Sequence, residues 1–308
     1  MQVAGINSFG GPIETIDLSD PRPLADDEVL IEVRAAGVGN WEEFVRTGDW
    51  DIGGTPPMAL GVEAAGVVKS VGGAVDRWSP GDEVLTHPLP LRDQGACAPL
   101  LIASEAVVAH KPAAVSWEAA SAFPVPALTA GQVIDDELGV GPGDSVLVNG
   151  AGGITGSVLA TLAAVRGAEV IATAGPANHD RLGGLGVKHL LDYHETDWPD
   201  QARELAGDGG VTAAVNAVSN GSVDAIRAVR DGGRLVTITD DAPGEERGIN
   251  STSLIVEPNG PQLEALAELL GAGKLEVQVA QTLELADAAA ALESALGGGS
   301  NGAVVIHP

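Results

Sequence analysis

The stretch VLVNGAGGITGS, residues 146–157, reads as a buried strand that runs into a glycine-rich turn and then into a helix. A dinucleotide-binding turn needs one glycine for the tight bend, one where the backbone meets the pyrophosphate and one where helix packs on strand. The helix amino terminus adds a partial positive charge, roughly half a unit, and free N–H donors for the anion. Gly150, Gly152 and Gly153 supply the bend and the close approach. A strict GxGxxG spacing would put the third glycine at Thr155, whereas Gly156 comes one residue later. The surroundings add weight: an apolar strand before the turn, a helix with Val158, Leu162 and Val165 on one face, and a second strand ending about 20 residues on. The competing reading is a glycine-rich βα turn that holds no ligand.

The end of that second strand discriminates between cofactors, because NAD sites usually carry an acid there for the ribose hydroxyls. IATAGPANHDR, residues 171–181, has Thr173 and Ala174 instead. Without an acid a 2′-phosphate is tolerated, and His179 and Arg181 are the nearby cations to meet it. The expected cofactor is NADP(H), with NAD(H) the less favoured.

Outward from the turn, strands and helices alternate. SVLVNG, AEVIATA, HLLDY, TAAVNAV and RLVTIT read as strands, and TGSVLATLAAVRG, HDRLGGLG, DWPDQARELAG and SVDAIRAVRDGG as the helices between them. That alternation predicts an α/β fold with a doubly wound parallel sheet. Before about Trp117 no long helical period occurs, and EVLIEVRAAGV, EAAGVVKSVGGAV and GDEVLTH predict a compact antiparallel β unit with tight turns. In SWEAASAFPVPALTAGQVIDDEL a helix opens on Ser116 with an incomplete capping box, since Ala119 stands where Glu or Gln would complete it. After DDAPGEERG come the strand TSLIVEP, the helix PQLEALAELLGAG, the strand KLEVQVA, the helix ADAAAALESAL and the strand GAVVIH. This tail is too short for a domain of its own and is expected to complete the first domain or extend the sheet.

The 308 residues suggest two domains with sizeable cores. Acidic residues number 43 against 16 basic ones, for a net charge of −27, and no lysine or arginine run offers a footprint for a phosphate backbone. Nucleic acid and anionic membrane are thereby excluded as expected partners. The single cysteine, Cys97, rules out an internal disulfide and a thiolate metal cluster within one chain. No basic-then-apolar leader opens the sequence and no run of about 18 apolar residues interrupts it, so a cytoplasmic location is expected.

In order and spacing, AAGVGNWEEFVRTGDW, PPMALGVEAAGVV, GDEVLTH, AAVSWEAASAFPVPALTA, VLVNGAGGITGS, GVKHLLDY, RDGGRLVTI and VEPNGPQLEALAELLGAGKLE resemble the medium-chain dehydrogenase/reductase superfamily, in its zinc-free quinone oxidoreductase branch. The resemblance covers essentially the whole chain. It implies a GroES-like β domain over residues 1–117 and 252–308, a Rossmann domain over 118–251, and an active site in the cleft between them. The branch writes its turn AxGGxG, so that Gly153 and Gly156 match while Ile154 replaces a glycine.

Residue by residue, the resemblance also implies chemistry. Zinc-dependent relatives place a Cys and a His where Gly39 and Val62 stand, and the structural-zinc loop of four cysteines is absent, so metal-free chemistry is expected. Enoyl-thioester reductases of the superfamily carry a Tyr at the position of Trp50; the only tyrosine here, Tyr193, matches one that lies beside the adenosine ribose phosphate. Asp197, four residues after Tyr193, stands where a short-chain dehydrogenase needs Lys. Thr129, backbone near Val218, and Thr239 would hold the carboxamide side of the nicotinamide. Asn40 is the candidate for the substrate carbonyl, although the family's Asn aligns with Gly39, and Trp50 would line the substrate pocket. Asn40 and Thr129 are the catalytic candidates, and no acid–base pair is identified. Gly175, Pro176 and Ala177 replace the Ser and Lys or Arg that many relatives use to grip the 2′-phosphate. The expected substrate is a small quinone or enone, reduced by direct hydride transfer in a dry cleft. The alternatives are an NADP-binding relative without turnover and a trans-acting enoyl-thioester reductase, the latter disfavoured by Trp50. A homodimer is implied through the apolar edge strand TSLIVEP of the Rossmann sheet.

Overall fold

A computed structural model describes residues 1–297 and 302–308. The chain divides into two compact units, Met1–Val125 with Glu257–Pro308, and Pro126–Val256. Among the described residues no helix is long and apolar enough to cross a membrane.

The first unit opens with β1 (Gln2–Ile6), β2 (Glu14–Asp17), β3 (Glu28–Val38), helix α1 (Glu42–Thr47), β4 (Met58–Ala59), β5 (Ala64–Val71), β6 (Glu83–Thr86), β7 (Leu100–Ser104), β8 (Val108–His110) and helix α2 (Trp117–Ser121). Strand β3 is its spine: it pairs antiparallel with both β5 and β7, and its inward residues Val29, Ile31, Val33 and Ala36 join the largely aliphatic core around Trp78. Alternating burial on a pleated strand is what a β-branched run dictates when one face meets a core. Ser116 caps α2 by accepting the Ala119 N–H at 3.2 Å, which realises the half of the capping box that the sequence contains. Helix α1 has only six residues, too few to register as a period, and ends on Gly48 at φ 85°.

Helix α3 (Pro124–Gly131) leads into the second unit and continues as a π-helical turn over Gln132–Glu137. There the chain alternates β9 (Ser145–Asn149), α4 (Ile154–Val165), β10 (Glu169–Thr173), α5 (His179–Gly184), β11 (His189–Leu191), α6 (Trp198–Ala206), β12 (Val211–Asn216), α7 (Ser222–Ala228), β13 (Val229–Thr237) and β14 (Asn250–Ser253). The six strands are parallel in the order β11-β10-β9-β12-β13-β14. Succession thus runs outward from β9 one way through β10 and β11, and the other way through β12 to β14. The switch point of this doubly wound sheet lies between β9 and β12, where such folds bind ligands beyond the carboxyl ends of their strands.

The chain then re-enters the first unit through α8 (Gly260–Gly271), β15 (Val279–Glu284), α9 (Ala288–Gly297) and β16 (Ala303–His307). Strand β16 pairs antiparallel with β3 and parallel with β15, so the tail does complete the first unit's sheet.

Three elements depart from the sequence reading. The helix expected over residues 222–233 ends at Ala228, and β13 starts at Val229 without a loop, because Val211 pairs with Val229 before a register shift around Gly232 and Gly233. The strand expected at 274–280 lies at Val279–Glu284, where it finds β16 as a partner. The edge strand expected at TSLIVEP pairs only through the polar Asn250–Ser253; its last sheet bond is Leu254 N–H to the Thr237 carbonyl at 2.9 Å, and the apolar Ile255 beyond it is 70% exposed.

Candidate functional site

The turn after β9 explains its own glycines. Gly150 sits at φ 92°, a left-handed conformation that disfavours any side chain, and a Cβ there would meet the Val218 side chain at 2.6 Å. A Cβ on Gly156 would fall 2.1 Å from the Gly150 carbonyl oxygen, so the packing role of the third glycine is carried by Gly156 and not by the position of Thr155. Gly152 and Gly153 face outward, with nothing closer to a Cβ than the Asn178 side chain at 3.3 Å and the Gly150 oxygen at 3.6 Å respectively. Gly153 is the N-cap of α4 and has no side chain to use the helix's first N–H groups, which leaves those of Ile154 and Thr155 for an anion. Ile154 is half-buried at the first helical position. These residues fit a pyrophosphate.

Beneath the turn runs a continuous series of side-chain hydrogen bonds. Thr173, Asn149, Asn216 and Thr237 end β10, β9, β12 and β13 at one register level. The Gly150 N–H donates to Thr173 Oγ1 at 2.9 Å, and Thr173 donates onward to Asn149 Oδ1 at 2.7 Å. Asn149 Nδ2 donates to Asn216 Oδ1 at 2.9 Å, and Asn216 Nδ2 reaches the Val218 carbonyl at 2.8 Å and the Asp241 carboxylate at 3.2 Å. All four strand-end residues are buried, and a buried polar group of this kind is stable only when bonded. Gly221 covers the asparagine pair so closely that a Cβ would stand 2.6 Å from Asn216 Oδ1 and 2.7 Å from Asn149 Nδ2.

Asp241 closes the series. Its carboxylate accepts from the hydroxyls of Thr237, Ser222 at 2.7 Å and Thr239 at 2.8 Å, and from the Ser222 N–H at 3.1 Å. Burial alone would raise its pKa, but these donors outweigh that effect and hold it down at about 2. No Lys, Arg or His is among its hydrogen-bonding partners.

On the other side of the turn, Thr173 and Ala174 are fully buried, so Thr173 acts on the turn through Gly150 and its hydroxyl is already engaged. His179 Nε2 donates to the Ala174 carbonyl at 3.0 Å, and Arg181 is tied to Ser157 of α4 at 2.9 Å and to Asn178 at 3.2 Å. Tyr193 is exposed, stacks on His194 with ring centroids 4.1 Å apart, and lies near Gly175. Although β10 ends without an acid, Asp192 follows β11 beside it and bonds the N–H and Nδ1 of His194 at 3.0 and 2.6 Å. Those bonds hold the Asp192 carboxyl below its usual range. The second unit therefore brings Gly150, Val218 and Thr239 together on one side, and Ala174, His179 and Tyr193 on the other. Thr129 is buried in α3.

In the first unit Asn40 is exposed at the entrance to α1, and the half-buried Trp50 faces the ring of His87 at 6.3 Å. His87 is fully buried; its Nδ1–H donates to the Val62 carbonyl at 2.6 Å, and burial lowers its pKa to about 4. Glu42 is buried too, accepting the N–H groups of Gly61 and Val62 at 3.1 and 3.2 Å; burial pushes its pKa up to about 7 against the pull of those donors. Position 39 does not fit zinc ligation, since even a Cβ there would lie 2.3 Å from the indole of Trp41. Val62 offers no ligating side chain, and among the described residues no three His, Cys, Asp or Glu converge as a metal site would require.

Sequence reasoning missed Asp241, Asn149, Asn216, Asp192, His194, Glu42 and His87 as members of these clusters. The asparagines ending two apolar strands, VLVN and AAVN, were the one available signal, because a polar amide at that depth must find a partner.

Comparison with known proteins gives a consistent picture. Residues 25–120 match the alcohol dehydrogenase GroES-like domain, and residues 185–306 match the zinc-binding dehydrogenase family. The chain is 36% identical over 284 residues to erythronolide synthase EryA2 of Saccharopolyspora erythraea, covering 88% of this chain but only 8% of that protein. It is 26% identical over 244 residues to the quinone oxidoreductase of Homo sapiens, covering 77% of this chain and 73% of the relative. A crystal structure of an NAD-dependent alcohol dehydrogenase superposes over the full length of both chains with a TM-score of 0.88 and 30% identity.

Proposed function

The chain belongs to the medium-chain dehydrogenase/reductase superfamily, among its quinone oxidoreductase-like members, and from that premise we propose that it is a zinc-independent, NADPH-dependent reductase of quinones or α,β-unsaturated carbonyls. The observation that carries this reading is the cradle at residues 150–156, whose outward glycines and uncapped helix terminus leave main-chain donors for a diphosphate. When bound, the dihydronicotinamide supplies hydride. The turn anchors the diphosphate, and Val218 and Thr239 orient the reacting end. Thr129 and Asn40 serve the carboxamide and the substrate carbonyl. An enone or quinone would take hydride from the dihydronicotinamide and a proton from solvent, so no side-chain acid would be required of the chain. The Trp41 ring packed over Gly39 supports a metal-free site. The end of β10 supports NADPH because Thr173 and Ala174 stand there in place of an acid, although Asp192 after β11 holds a carboxylate beside it. The apolar run after β14, with Ile255 exposed, supports a homodimer through that edge; light scattering is expected to give twice the chain mass, and a monomer would remove this inference.

A second reading, an alkene presented as a thioester, is favoured by the 36% identity to a polyketide synthase. Oxidation of NADPH followed at 340 nm with quinones, short enones and enoyl thioesters separates the two. Turnover of free quinones or enones is expected. Turnover confined to thioesters would replace the first reading with the second, and tight NADPH binding without turnover would make the chain a non-catalytic relative.

A further inference from the structure

The polar series below the glycine turn has a direction, set at one end by Asp241 together with the Val218 backbone. An ionised carboxylate can only accept hydrogen bonds, whereas an asparagine amide and a threonine hydroxyl can do either. With Asp241 accepting, Asn216 Nδ2 must face it, an orientation that the Val218 carbonyl shares. Asn216 Oδ1 is then turned toward Asn149 Nδ2 and the Val218 N–H, at 2.9 and 3.3 Å. Asn149 Oδ1 is left to accept from Thr173, whose oxygen in turn accepts the Gly150 N–H. The same carboxylate takes the hydroxyl hydrogens of Thr237 and Thr239, and Thr239 Oγ1 can also accept from Asn216 Nδ2 at 3.2 Å, which leaves it a lone pair and no hydrogen for anything that lies against it. Asp241 is also bonded to both the N–H and the hydroxyl of Ser222, which ties the loop after β13 to the start of α7. The charge is thus embedded among neutral donors and acts on its surroundings by orienting them.

We propose that Asp241 is a positioning residue for the half of the dinucleotide that lies beyond β12 and β13: its carboxylate fixes Asn216, the Val218 backbone and the Thr239 hydroxyl in the one hydrogen-bonding polarity that receives this half. The inference rests on the nucleotide-binding reading above. It assigns β12–β13 side chains a role distinct from that of the glycine turn, which lies across the switch point and holds the diphosphate. Replacing the carboxylate by an amide of equal size lets 241 donate as well as accept, so the Thr239 and Ser222 hydroxyls lose an acceptor-only partner while the volume is kept and the Val218 carbonyl and N–H still hold Asn216.

The test is Asp241→Asn in the full chain, titrated by fluorescence with NADPH, with NADH, and with the half-molecules 2′-phosphoadenosine 5′-diphosphate and ADP, which keep the diphosphate and lack the nicotinamide riboside. The variant is expected to bind the dinucleotide roughly ten-fold more weakly, the scale of one charge-assisted hydrogen bond, while its half-molecule affinity stays that of the parent. Thr239→Val keeps the carboxylate and removes one hydroxyl; it is expected to show the same selective loss and serves if Asp241→Asn does not fold. Equal losses for dinucleotide and half-molecule, or no loss for either, would reduce Asp241 to a structural residue and overturn the proposal. Failure of the parent chain to bind NADPH or NADH would instead overturn the reading on which the proposal rests.

Discussion

At the scale of single residues, the closest constraint in the cradle is the one between Gly156 and the Gly150 carbonyl. Both atoms that would collide belong to the backbone or are fixed to it, so a methyl at 156 cannot be relieved by a rotamer change. Gly156→Ala is expected to lose at least about 2 kcal/mol of stability in urea unfolding. Gly153→Ala, whose Cβ would meet only an ordinary van der Waals contact at 3.6 Å and whose φ is −77°, is expected to stay within about 0.5 kcal/mol of the parent. Equal losses for the two would remove the assignment of the packing role to Gly156. Glu42 makes a second prediction at this scale. Its folded pKa, near 7, lies above its ordinary 4.5, so its contribution to stability is fully present below pH 4.5 and is lost as pH rises through 7. A shift of that size corresponds to on the order of 3 kcal/mol. His87, lowered from 6.5 to about 4, works in the opposite sense and loses stability as pH falls across that range. Comparing urea midpoints of the parent and Glu42→Gln between pH 4.5 and 7 isolates the carboxyl: the parent's stability should fall more steeply with rising pH than the variant's, whatever the offset between them. Parallel profiles would place the Glu42 pKa at its ordinary value.

Elements depend on what joins their ends. The carboxyl ends of β9, β10, β12 and β13 are linked by side chains as well as by backbone, and Gly221 is the lid over the side-chain link between β9 and β12. Gly221→Ala should force Asn149 and Asn216 apart and leave at least one buried amide unbonded, costing about 1–3 kcal/mol. Amide exchange should then quicken at Gly150 and Val218, the backbone N–H groups held nearest the asparagine pair, while unchanged exchange at both would show that the turn does not depend on it. The alternation of strand and helix from Ser145 onward was legible because most elements there have a clear period and several stop at a glycine. Less legible were the joints. Nothing local marks the passage from α7 to β13 at Val229, since pairing with Val211 across the sheet decides it. The strand written as KLEVQVA shifted toward the carboxyl terminus because β16, not propensity, selects which residues pair. At the site, glycine spacing pointed to the turn at residues 150–156, but Asp241 lies in an acidic run, DDAP, that reads as solvated surface. Only the fold brings it under Thr239 and Ser222.

For the whole molecule, charge is the dominant global term. With a net charge of −27 the native chain repels itself, and screening should relieve part of that repulsion. Raising sodium chloride from about 10 mM to about 0.5 M shortens the Debye length from roughly 30 Å to a few Å, and the melting temperature is expected to rise. A melting temperature that falls with salt would indicate that local ion pairs, such as Arg22 with Glu28 at 2.8 Å, outweigh the global field. The same acidity means that an anionic cofactor must be held by oriented main-chain donors, because the surface potential opposes it at long range. Calorimetric titration of the full chain with NADPH and with NADH measures that hold directly. One saturable site, tighter for NADPH than for NADH, is the predicted result; no binding heat from either nucleotide would contradict the assignment of residues 150–156 as a dinucleotide cradle.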